Sequence, residues 1–181
     1  MKKTILAIAT VLLVFTACHR GNETPSREEM AKVIDSIEAT TRTAVRMEAI
    51  DTAKGNRLMS LYIHYADAYP EDSISPIYLQ KAAQIATGIF LIDDMVTLYD
   101  RIIDNYPNYS QLVECYYEKG IALDNAGRKD EARIAYQEFL EEYPDHFLAN
   151  DIRKALPLLD MSDELLIDYL SKINEQESGT R

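Results

Sequence analysis

The residues able to do chemistry are scattered along the chain. Its three histidines, His19, His64 and His146, lie far apart. None has a cysteine or a second histidine at the close spacing that sets two ligands on one metal ion. Carboxylates occur as adjacent pairs, Asp93 with Asp94, Glu141 with Glu142, Asp163 with Glu164. Neighbours on a helix point in different directions, which suits a solvated face or a helix start rather than an acid–base dyad. There is no glycine-rich phosphate loop, no Gly-x-Ser-x-Gly and no His-Glu-x-x-His. The 12 tyrosines admit a binding surface or a packed interior, and most fall on the apolar faces described below, which favours packing. No catalytic residues, no cofactor site and no metal site assemble, so the chain reads as a non-enzyme.

Cys18 is the residue with a definite context. Lys2 and Lys3 precede an apolar run from Ile5 to Ala17; the run is well short of the about 20 residues that span a bilayer, and it has the length and flanks of a secretory signal. The run ends in "FTAC", which resembles a bacterial lipobox, although such boxes more often carry an aliphatic residue where Phe15 stands. The resemblance implies cleavage before Cys18 and lipid on it; the alternative is an ordinary signal with an unmodified cysteine. On the lipoprotein reading, residues 1–17 are the signal peptide and 18–26 a lipidated flexible tether. That tether is polar, with a glycine and a proline, and has no periodicity. Cys115 is then left alone and can close no intrachain disulfide; it reads as a small apolar packing residue.

The net charge is −11, from 19 basic and 30 acidic residues. Without Lys2 and Lys3 the balance is 17 against 30, near −13. Such a surface repels nucleic acid and anionic headgroups. Membrane attachment therefore falls to lipid on Cys18 and not to a basic face.

The remaining sequence shows no strand alternation and a clear helical period. Tyr-Pro closes three segments, at Pro70, Pro107 and Pro144, spaced 37 residues apart. Shifting by that period superposes Tyr62, Tyr99 and Tyr136; Tyr65, Ile102 and Phe139; and Tyr69, Tyr106 and Tyr143. A second helix precedes each of the later two. One carries Leu79, Ala82, Ala83 and Ala86, with Pro76 at its start and Gly88 at its end. The other carries Leu112, Val113, Tyr116, Gly120 and Leu123, followed by a turn at Asn125, Ala126 and Gly127. Ser26 with Glu29 is spaced as a capping box ahead of Met30, Val33, Ile34, Ile37, Thr41, Ala44 and Val45, which form one long helix or two. After Pro144 a short helix meets Pro157. Ser162 then caps a helix with a stripe of Leu165, Leu166, Tyr169, Leu170 and Ile173.

Residues 116–144 resemble a tetratricopeptide repeat in Tyr116, Gly120, Leu123, Ala132, Tyr136 and Pro144. Residues 79–107 resemble it more loosely, with Met95 where the family prefers alanine. The family period is about 34, and the surplus here falls in the loops after each proline. The resemblance implies an all-α, right-handed solenoid of about three helix pairs with N- and C-terminal capping helices, over residues 27–175; the polar end of the chain, 176–181, reads as a disordered tail. It also implies that the first helix of each pair lines an inner groove. Off-core positions there are Gln80, Gln84, Thr87, Glu114, Tyr117, Ile121, Asp124 and Asn125, a candidate face for a protein or peptide partner, or one that is merely wet.

Repeats of this kind in β-barrel assembly lipoproteins and in periplasmic cell-envelope coordination proteins are similar to "AYQEFLEEYPDHFLANDI". The expectation is a lipid-anchored scaffold at the outer membrane of a Gram-negative bacterium, on its periplasmic or surface side, serving membrane biogenesis or envelope maintenance. The alternative is a structural accessory of an uptake or secretion complex.

Overall fold

The structure is a computed structural model and describes residues 25–45 and 52–178. Cys18 and the signal segment lie outside the described residues, as do 46–51 and 179–181. Eight α-helices follow one another without a strand among these residues: α1 (Arg27–Val45), α2 (Thr52–Ala68), α3 (Ser75–Gly88), α4 (Ile92–Asn105), α5 (Leu112–Asn125), α6 (Lys129–Glu142), α7 (Ala149–Ala155) and α8 (Asp163–Ser178). A 3-10 turn (Leu156–Asp160) joins the last two. Helices neighbouring in sequence pack on one another from α1 to α7, giving the stacked pairs α1/α2, α3/α4 and α5/α6 of a tetratricopeptide-like helical solenoid.

The period of 37 is written into the backbone. In each Tyr-Pro loop, the amides of Asp72, Tyr109 and His146 donate to the carbonyls of Tyr69, Tyr106 and Tyr143 at 3.0, 2.9 and 3.2 Å. The amides of Ser75, Leu112 and Ala149 then donate to the carbonyls of Asp72, Tyr109 and His146 at 2.9, 3.1 and 2.9 Å. The loop is two consecutive turns, made three times. Proline ends each preceding helix because it lacks the N–H that the helix needs to continue.

The turns inside the pairs repeat as well. The amides of Leu91 and Arg128 return to the carbonyls of Ala86 and Leu123, both at 2.9 Å. The left-handed residue this closure needs is Gly127 in the third pair (φ 74°) and Phe90 in the second (φ 61°). The helix ends at Gly88, as the sequence suggests, and the left-handed conformation comes two residues later, at Phe90.

The apolar stripes meet in one continuous core. Tyr62, Tyr99 and Tyr136 are buried at equivalent positions, as are Tyr65, Ile102 and Phe139. At Gly120 an added Cβ would sit 2.6 Å from Cδ1 and Cε1 of Tyr136. This is the close approach of α5 to α6 for which only glycine has room.

The N-terminal segment is two helices, and its end belongs to α2, which starts at Thr52. Thus α1 serves as the first helix of the first pair. Its start is fixed by the capping box, with the Glu29 amide on Ser26 Oγ at 3.3 Å and the Ser26 amide on Glu29 Oε2 at 2.9 Å. At the other end, Ala149, Ile152 and Leu159 are buried against the stack. The closing cap is therefore α7 with its 3-10 turn, and α8 comes after it.

Candidate functional site

The candidate face is built by α3 and α5, the first helices of the second and third pairs. A carboxylate holds them together. Glu118 on α5 accepts from Gln80 Nε2 at 3.1 Å, from Gln84 Nε2 at 3.1 and 3.3 Å, and from the Tyr99 hydroxyl at 2.8 Å. Gln80 and Gln84 stand four apart on α3 and so share a face; Tyr99 rises from the core of α4. Gln80 is 6% exposed, and its Oε1 accepts from the Tyr109 hydroxyl at 2.7 Å. Both ends of this amide are engaged, so Gln80 joins repeats rather than facing a ligand. Burial, followed by the neighbouring carboxylate of Glu118, pushes the Tyr99 phenol well above its ordinary pKa. Burial likewise lifts that of Tyr109 to about 12. Both remain proton donors at any physiological pH.

The same tyrosine position behaves alike in the other pairs. Tyr62 donates to Glu38 Oε1 at 2.6 Å, where Lys81 also pairs at 2.7 Å. Tyr136 donates to Asp124 Oδ2 at 3.1 Å. Each repeat thus ends its buried tyrosine in a carboxylate. A neutral–charged hydrogen bond of this kind contributes about 1.5–3 kcal/mol, and together they stiffen the floor on which the face stands. Periodicity gave the buried rings; it carried no signal for where the hydroxyls go.

Of the other residues expected on this face, Glu114, Gln84 and Asn125 are exposed. Tyr117, Ile121, Asp124 and Thr87 are half-buried. Tyr117 packs edge-on against Phe139, ring centroids 6.3 Å apart. Thr87 Oγ1 turns back to the Ala83 carbonyl at 3.0 Å. The expected set therefore splits into an open group on α3 and α5 and a group spent on packing. Among the described residues no group of three or more His, Cys, Asp or Glu side chains is placed to hold a metal ion. Burial raises the Cys115 thiol to about 12, so it is a packing group here and not a nucleophile.

Successive Tyr-Pro loops stand apart and leave a cleft of about 600 Å³ between Pro70, Pro76 and Ile77 on one side and Arg101, Tyr106 and Pro107 on the other. The sequence marks these segments as longer inter-repeat loops and carries no signal for the cleft.

Residues 114–146, which comprise nearly all of α5, α6 and the following Tyr-Pro loop, match the tetratricopeptide repeat family. No curated protein matches the chain. The match covers the third pair; the second pair repeats that pair's turn and loop hydrogen bonds at the interval of 37.

Proposed function

We propose that this chain is a membrane-anchored scaffold that binds a protein partner in a Gram-negative cell envelope, in outer-membrane biogenesis or envelope maintenance. A tetratricopeptide repeat is an interaction module, and the third pair matches that family. The observation that carries the reading is the α3/α5 face. It is locked from beneath by Glu118 and presents Gln84, Glu114 and Asn125 outward. A rigid polar surface suits recognition because little entropy is lost when a partner settles on it. The anchor reading rests on the lysines, the short apolar run and Cys18, and envelope placement follows from it. No described helix is long and apolar enough to cross a membrane, so attachment of the folded part would come through lipid on that cysteine.

Two variants test the two halves. Cys18→Ala should move the chain from the membrane to the soluble fraction; retention in the membrane would refute the lipid anchor. The pair Glu114→Arg and Asn125→Arg should abolish co-purification of a stable partner from detergent-solubilised membranes while leaving the circular dichroism unchanged. Undiminished recovery of the same partner would remove the α3/α5 face from the proposal.

A further inference from the structure

The last helix is out of place for a fourth pair, and the period shows why. Counting 37 residues on from Gly120 gives Pro157, and from Ala132 gives Tyr169. Gly120 is where α5 comes against Tyr136 and Ala135 of α6, and Ala132 is fully buried on α6. Pro157 ends α7 and turns the chain into the 3-10 turn. Tyr169 sets a large ring where Ala132 is buried. Among the described residues no helix packs substantially against α8. None of its described side chains joins the core. Leu165 is 59% exposed and Tyr169, four residues on, is 42% exposed; Ile167, on the opposite flank, is 68% exposed.

The charges around these residues point to the occupant. Glu164 and Asp168 flank the exposed pair; Lys172 pairs with Asp168 at 2.6 Å, so the described charges around the pair sum to a net negative one. A second copy of a chain with net charge −11 would set like charge against like, and an anionic lipid surface would do the same. We propose that α8 is a docking helix whose Leu165 and Tyr169 enter an apolar cleft, rimmed by lysine or arginine, on a different protein. The mode is a helix in a groove with anchors at i and i+4, and a tyrosine is a favoured central anchor. The proposal does not depend on the α3/α5 face.

The test places p-benzoyl-phenylalanine at Tyr169 of the full chain in its source cells, with Ile134 on α6 as an exposed control, and maps crosslinks by mass spectrometry. The expected result is one protein joined at Tyr169 and not at Ile134, through a segment rich in lysine or arginine. With the probe kept at Tyr169, Leu165→Ala should lower the yield by about tenfold, the loss of one anchor. Glu164→Lys with Asp168→Lys should lower it as well, whereas Glu141→Lys on α6 should not. Since no described side chain of α8 joins the core, thermal melts of these variants should match the parent, which separates lost docking from lost folding. Crosslinks to α6 or α7 of the same chain, to a second copy, or to lipid would each overturn the proposal. So would a yield insensitive to the charge changes, or no crosslink.

Discussion

Asp72 ties three segments together through one carboxylate. Its Oδ1 accepts the Ile74 amide at 3.0 Å, and its Oδ2 accepts the Tyr65 hydroxyl at 3.0 Å and Arg27 Nη1 at 3.1 Å. The Ile74 amide above all, with Tyr65 and Arg27 adding to it against the effect of burial, holds this carboxyl below its ordinary pKa of 3.8. A carboxyl with a lowered folded pKa adds stability that is complete above the unfolded value and disappears as pH falls through the folded one. Asp72→Ala should therefore cost about 2 kcal/mol at pH 7, measured by urea unfolding. The gap between parent and variant should hold down to about pH 5 and shrink steadily below 3.8. A gap that stays constant to pH 2 would mean that packing, not charge, makes the difference. Bonds of this sort are where sequence reading stops. Spacing put Tyr65 and Tyr99 inside, but not Asp72 or Glu118 at their hydroxyls. Gln80 was placed on an open face by its helical position alone. It is buried because Tyr109, in a loop 29 residues later, closes over it.

At the scale of helices and turns the sequence was far more legible, because each element states its own limits. The Tyr-Pro pairs end α2, α4 and α6, the capping box starts α1, and Pro76 lies in the first turn of α3. What it hid is a misfit. Phe90 occupies the left-handed position that Gly127 fills one repeat later, and it is 83% exposed, so no packing offsets the strain. A left-handed non-glycine residue costs about 1–2 kcal/mol. Phe90→Gly should accordingly stabilise the fold by about 1 kcal/mol despite the greater freedom glycine gives the unfolded chain. The opposite change has the opposite sign. Alanine improves helix propensity by about 1 kcal/mol over glycine, yet Gly120→Ala would drive a methyl into the ring of Tyr136. That ring is fully buried and its hydroxyl is held by Asp124, so it cannot swing away. Overpacking of about 1–3 kcal/mol should outweigh propensity and leave Gly120→Ala the less stable protein. Thermal melts of the two variants should move in opposite directions.

The whole molecule is a stack in which each layer leans mainly on its neighbours, so the consequence of removing a piece depends on where in the stack it sits. The stripe on the last helix looked in the sequence like a closing layer, since a stripe shows which face is apolar and not whether a surface waits for it. The closing layer is instead α7 and the 3-10 turn, whose Ala149, Ile152 and Leu159 are buried and whose Asp160 pairs with Arg133 of α6 at 2.6 Å. These two ends give a clean contrast. A chain stopped after Met161 loses α8, none of whose described side chains joins the core; its melting temperature should stay within about 2 °C of the parent, the size of a surface change. A chain stopped after Tyr143 loses Ile152 and Leu159, each contributing about 1.5–3 kcal/mol when buried, and bares the side of α6 they cover. Its melting temperature should fall by about 10 °C, at roughly 2–4 °C per kcal/mol for a chain of this size. If the shorter cut already lowers the midpoint by that much, α8 is part of the stack after all, and the solenoid ends one helix later than its core does.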